Sequence, residues 1–301
     1  MAERKMRILC LHGKGTSGRI FKSQTASLRS KLEAVIPELE YDFVDGPQPS
    51  SPAPDTPLFY EPPHYAFYEG TEIKAIRAGH KWLRELLEHN GPYDGVLMFS
   101  QGCALVSSYM LYQQWYEPEA PPPFQFAMFI CGGVPITALK DLGVHVSQEV
   151  EDLDVRTKKQ LLEKTTAEVT RDRWQLTDYA SVVRRAQFDS DDCFGLNLNR
   201  IPAELKIRIP TVHVFGEKDP RLPASIQLAG LCDPYIRKVY NHGGGMKYPE
   251  PRRSARSWRS CCSGVRSVAL GQDKARYVIS DCPEDDAQII CMREWVSYLE
   301  Y

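Results

Sequence analysis

Gly95-Val96-Leu97-Met98-Phe99-Ser100-Gln101-Gly102-Cys103-Ala104 is an apolar run that ends on a serine and passes at once into a helix-forming pattern. A short Val/Leu/Phe stretch reads as a buried strand, and residues 103–115 continue as a helix directly behind it. A serine at such a strand-to-helix corner sits on a sharp turn that projects its hydroxyl above the sheet. The helix then aims its free N–H groups and positive dipole end at the same spot. This is the layout of a nucleophile elbow. The positions two before and two after the serine must be small in the usual G-x-S-x-G pattern. Gly102 meets that demand and Met98 departs from it.

Working outward, short apolar runs recur at 7–11, 39–44, 95–99, 126–131, 211–215 and 236–240. Several are nearly continuous in Val, Ile, Leu and Phe, as strands buried on both faces require. Helical patterns alternate with them at 23–34, 71–88 and 103–115. The second of these places Ile73, Ile76, Leu83, Leu86 and Leu87 on one face and stops at Asn90-Gly91-Pro92. The alternation predicts an α/β fold, a doubly wound and mostly parallel sheet. Two segments interrupt the rhythm. Residues 47–63 hold seven prolines and run on into His64, Tyr65, Phe67 and Tyr68. Fixed φ and missing donors exclude a central strand there. Residues 139–208 form a long charged insertion, expected to be a cap over the carboxyl ends of the strands, with a plain surface excursion as the alternative.

Three further stretches supply the rest of a catalytic constellation. The first strand ends in Leu11-His12-Gly13-Lys14-Gly15, a glycine-bearing loop of the kind that provides an oxyanion donor. The expected donors are the backbone N–H groups of Lys14 and Gln101, with His12 structural beneath the loop. The strand at 211–215 runs into Gly216-Glu217-Lys218-Asp219-Pro220, which puts Asp219 where a triad acid belongs. His213, inside that strand, is expected to be packed. The next strand ends in Asn241-His242-Gly243-Gly244-Gly245-Met246, and no histidine follows His242 in the chain, so His242 is the default base.

Composition excludes other classes. The chain has 301 residues, 43% hydrophobic and 25% charged, with a net charge of −2. That rules out disorder and coiled coil and speaks against a nucleic-acid surface built on bulk charge. No apolar run reaches membrane-span length, and the start is polar and basic, so a cytoplasmic protein without a membrane span is expected. Nine cysteines without a C-x-x-C pair read as free thiols in a reducing compartment. No Cys/His spacing suits a metal, and neither a metal nor an organic cofactor is expected.

The motifs Ile8-Leu-Cys-Leu-His-Gly13, Tyr93-Asp94-Gly95-Val96-Leu97-Met98-Phe99-Ser100-Gln101-Gly102, Phe126-Ala-Met-Phe-Ile-Cys-Gly-Gly133 and Ile209-Pro-Thr-Val-His-Val-Phe-Gly-Glu-Lys-Asp-Pro220 lie between residues 8 and 220. On these residues the chain resembles the fungal FSH-type serine hydrolases. The resemblance implies an α/β-hydrolase fold, Ser100 as nucleophile, Asp219 as triad acid, and hydrolysis of esters or thioesters, in fungi often for polyketide biosynthesis. The family carries its histidine as G-G-H followed shortly by proline. Here Met246 follows the glycines, and His242 matches an upstream histidine that the family often also has. Past Gly245 the character changes. Residues 247–276 carry eight basic and two acidic side chains, which leaves the rest of the chain at −8. Residues 289–299 recover a helical pattern. Three readings of the base stay open: His242 after a loop shift, an impaired catalyst, or a tail altered by a gene-model error such as a retained intron.

The expectation is therefore a hydrolase domain over 1–245, a divergent basic segment over 246–301, and acyl-enzyme chemistry. The expected partner is a small-molecule acyl ester or thioester, in one reading carried on a polyketide synthase. Its rivals are a general short-chain carboxylesterase and a non-catalytic binding protein on a hydrolase scaffold.

Overall fold

The computed structural model describes residues 5–34, 36, 38–163 and 192–242. Six strands form one parallel sheet: β1 Met6–Leu11, β2 Leu39–Val44, β5 Gly95–Phe99, β6 Phe126–Ile130, β7 Thr211–Phe215 and β8 Arg237–Asn241. Each lies within a residue of its position in the apolar pattern. Their order is β2-β1-β5-β6-β7-β8. The chain thus steps from β1 to β2 on one side and restarts at β5 on the other. That makes the carboxyl ends of β1 and β5 a topological switch point, where an open α/β sheet leaves a crevice.

Side chains alternate between two cores, as the twofold period of a strand demands. Ile8, Cys10, Leu97, Met128 and Ile130 pack with Phe21, Leu28 and Leu32 of α1 Gly18–Gln24 and α2 Ala26–Glu33. Leu9, Leu11, Val96, Met98 and Phe129 face the other way. There they meet α3 Ile73–Asn90, α4 Gln101–Tyr116, the segment between β6 and β7, and α7 Leu222–Gly230. The single helix expected over 23–34 is two helices that begin earlier and break at Thr25. The Thr25 N–H makes the regular helical bond to Phe21 O, and its hydroxyl donates to the same oxygen, a local side-chain bond that bends the helix there. The proline-rich stretch makes no strand of the main sheet. It contributes only the two-residue antiparallel pair β3 Gln48–Pro49 and β4 Tyr65–Ala66. The expected insertion 139–208 starts inside α5 Ile136–Asp141 and contains α6 Gln148–Glu163, and the described chain resumes at 192. Among the described residues no helix is long and apolar enough to cross a membrane. The basic stretch 247–276, Met246, the expected helix at 289–299 and the middle of the insertion lie outside the described residues.

Candidate active site

Ser100 joins β5 to α4 with φ 49° and ψ −106°, a left-handed backbone that a residue with a Cβ adopts only under constraint. The constraints are visible. Its N–H donates to Ile130 O at 3.1 Å, and its carbonyl accepts from Cys103 N and Ala104 N at 3.1 and 3.3 Å. Its hydroxyl does not cap the helix. Gly102 is required by close approach, since a Cβ there would stand 2.7 Å from Leu11 O. Met98 is accommodated inside the core, fully buried and in register with Leu11 and Phe129. The flexible thioether fills that layer between β1 and β6.

The turn after β1 lies against this elbow. A Cβ on Gly13 would be 2.7 Å from the Phe99 ring and 3.3 Å from Ser100 Cβ. Thr16 N closes the turn on Gly13 O, with Gly15 at φ 74° in the third position. Gly13 O also accepts from Thr16 Oγ1 and from the Nδ1 of His12, each at 2.7 Å. His12 Nε2 accepts from Gly46 N at 3.0 Å, which sets the Nδ1–H tautomer. Burial holds this histidine neutral by lowering its pKa, against smaller opposing effects of Gly13 and Asp45. His12 is thus a brace under the turn. Lys14 lies in that turn, and Gln101 heads α4, where the first N–H groups have no partner inside the helix.

The loop that carries Asp219 follows β7. Asp219 is buried, its N–H donates to Gly216 O at 3.1 Å, and its Oδ1 accepts from Arg221 N at 2.7 Å. Cys131, the residue past β6, sits at φ 47° beside this carboxylate. Burial and then the Asp219 charge push its thiol well up. Arg221 carries the loop outward to the insertion. Its guanidinium donates to Asp154 Oδ1 at 2.7 Å and Thr157 Oγ1 at 2.8 Å, both on α6. His213 is packed as expected, stacked on Phe129 with centroids 4.9 Å apart and bonded to Thr211.

His242 is the first residue past β8, and its N–H donates to Phe215 O at 3.0 Å. It is half-buried, and burial lowers its pKa, so the imidazole is neutral and able to accept a proton. The register Phe99–Ile130, Ile130–Val214 and Phe215–Asn241 puts three strand spacings between Ser100 and His242. That is roughly 14 Å between backbones. The structure therefore gathers Ser100, Gly13, Lys14 and Gln101 at the switch point. It sets Asp219 with Cys131 and Arg221 two strands along and His242 one strand further. Cys131, Arg221 and the Gln101 side chain escape a reading of the sequence, because their partners are distant in the chain. The one local signal is the Gly132-Gly133 pair after Cys131.

Residues 1–257 match the family described as serine hydrolase (FSH1). The chain is 33% identical over 245 residues to Esterase FPY3 of Fusarium mangiferae, covering 81% of this chain and 88% of that one. It is 27% identical over 277 residues to Esterase alnB of Emericella nidulans, covering 86% and 95%. Among solved structures it is similar to the type II thioesterase BorB from the borrelidin biosynthetic cluster. There the TM-score is 0.43 at 15% identity, over 81% of this chain and 86% of that one.

Proposed function

The chain belongs to the serine hydrolase (FSH1) family, and on that premise we propose that it cleaves an acyl ester or thioester through an acyl-enzyme on Ser100. It is an α/β-hydrolase-fold enzyme acting on ester bonds. The observation that carries the finer reading is the strained Ser100 turn at the switch point, with the 13–16 turn packed against it.

In this reading the Ser100 hydroxyl attacks the substrate carbonyl and passes its proton to His242. The Lys14 and Gln101 N–H groups hold the resulting oxyanion, and Asp219 orients the imidazole and stabilises its charged form. The proton then goes to the leaving alcohol or thiol. Water, deprotonated by the same imidazole, releases the acid and restores Ser100.

The substrate is an extended acyl or polyketide chain, free or held on a synthase. The 47–68 loop and the 139–208 insertion, acting as a cap, line its pocket. Supporting this, the loop is tied to the 13–16 turn, and it carries the exposed apolar pair Leu58 and Phe59. We place the protein in the cytoplasm. Cys10, Cys103, Cys131, Cys193 and Cys232 are buried thiols, which supports a reducing compartment.

A fluorophosphonate probe tests the chemistry. Labelling of the wild type and its loss in Ser100→Ala is the expected result, and a folded wild type that takes no label favours a non-catalytic binding protein. Parallel assays on acyl thioesters and p-nitrophenyl esters of rising length test the substrate. Turnover confined to short oxygen esters overturns the long-acyl assignment in favour of a general carboxylesterase.

A further inference from the structure

We propose that the side chain of Gln101 is a positioning residue that braces the oxyanion hole against residues 65–69. The inference rests on the reading above, in which the N–H groups of Gln101 and Lys14 hold the oxyanion. Both residues are tied to that one short segment. Gln101 Oε1 accepts from Phe67 N at 3.0 Å, and its Nε2 donates to Tyr68 O at 2.8 Å. On the other side of the hole, Gly15 N donates to Tyr65 O at 2.9 Å and Tyr65 N to Thr16 O at 2.7 Å. Lys14 Nζ adds an ion pair to Glu69 Oε2 at 2.5 Å, with both side chains about half exposed.

The segment is fit to serve as a fixed bar. Phe67 is 1% exposed and packs on the His12 ring at 4.7 Å and on Trp82 at 5.3 Å. Ala66 O and C lie where a Cβ on Gly46 would stand, at 2.4 and 2.5 Å. A glutamine suits the junction because it offers an acceptor and a donor at adjacent points of one backbone. Carboxylate oxygens offer only acceptors and would face Tyr68 O with like polarity. The exposed Lys14–Glu69 pair adds little of its own, since solvent screens such pairs. The two-point amide clamp adds to the bonds of the Ser100 corner and ties the N-terminus of α4, and with it the Gln101 N–H, to the segment that also holds the 13–16 turn. An oxyanion donor loses its effect when it is displaced from the position the oxygen will occupy.

The test compares wild type with Gln101→Met and the near-isosteric Gln101→Glu, by hydrolysis of a p-nitrophenyl ester and inhibition by a trifluoromethyl ketone. The ketone adds to Ser100 and places an oxyanion in the hole. Gln101→Met is expected to lower kcat by about tenfold to a hundredfold with KM nearly unchanged. Affinity for the ketone should weaken by the same factor. In Gln101→Glu the ratio of variant to wild-type kcat should rise from about pH 8 to about pH 5, as protonation of the carboxyl restores a donor toward Tyr68 O. A purely structural role would lower the folded fraction and leave ketone affinity per labelled site unchanged. Wild-type kcat in folded Gln101→Met, or a flat ratio in Gln101→Glu, overturns the brace while leaving the Ser100 reading intact. A wild type that takes no fluorophosphonate removes that reading and the brace with it.

Discussion

Replacing Arg221 with methionine isolates the contact that joins the Asp219 loop to α6. The Arg221 and Asp154 side chains are 10% and 14% exposed. Nη1 reaches Asp154 Oδ1 at 2.7 Å, Thr157 Oγ1 at 2.8 Å and Asp154 O at 3.2 Å. A single guanidinium nitrogen carries two hydrogens, so these amount to two charge-assisted bonds, each contributing about 1.5–3 kcal/mol. Methionine keeps the apolar stem and removes the cost of burying the charge, which offsets part of the loss. Asp154 also keeps Lys158, whose Nζ lies 2.7 Å from Oδ2, so its carboxylate is not stranded. The net expectation is a loss of about 2 kcal/mol in unfolding free energy. Urea denaturation followed by tryptophan fluorescence measures it. The bond from the Arg221 main-chain N–H to Asp219 Oδ1 survives the substitution, so kcat should change little. A double-mutant cycle with Asp154→Asn should return a coupling of about 1 kcal/mol or more. Additive losses, or a single-mutant loss below about 0.5 kcal/mol, would refute the idea that this pair docks α6 on the Asp219 loop.

The remaining predictions concern the histidines. His242→Ala should lower kcat by several orders of magnitude without changing the melting temperature, because members of a triad act as a unit. An unchanged rate removes His242 from the mechanism. Burial lowers the pKa of His242, so the acid limb of kcat/KM should fall below the ordinary imidazole value of 6.5, with activity present above that limb and lost beneath it. Stability should follow the same sign. Burial lowers His12 and His213 and takes His80 to about 4. Below pH 6.5 the unfolded chain then binds protons that the folded one refuses. Stability is therefore complete above that pH and is lost as pH falls toward 4, with His80 contributing on the order of 3 kcal/mol. Thermal melts from pH 8 to pH 4 check this, and a melting temperature that rises on acidification contradicts it.

The parts legible in the sequence are those that neighbouring residues encode. A strand buried on both faces needs a continuous apolar run, so β5 and β6 stand out from composition alone. The Ser100 corner is a strand, one residue and a helix within ten positions, and its companion Gly102 is a close-approach glycine. Two local readings fell short for physical reasons. The break at Thr25 turns on a side-chain bond back to Phe21, which the helical period does not register. The helix α7 buries Leu222, Ala224, Ile226 and Leu228 together with Ser225 and Gln227. It is covered all round and has no polar face to mark its period.

Of the candidate site, residue types and chain order came from the sequence: Ser100 at an elbow, Asp219 past a strand, His242 past the next, and glycines flanking Lys14. Which of them meet was decided by tertiary structure. The order β2-β1-β5-β6-β7-β8 sets the Gly13 turn against Ser100 and orders the strand ends that carry Asp219 and His242 along the same edge. Gln101 finds Phe67 and Tyr68 across 34 and 33 residues, and Arg221 finds Asp154 across 67. Residue types within a turn or two fix backbone preference and burial, and those are written in local order. Contacts at such separations depend on which strands lie side by side and on how the chain returns between them, and no period or motif in the sequence carries that information.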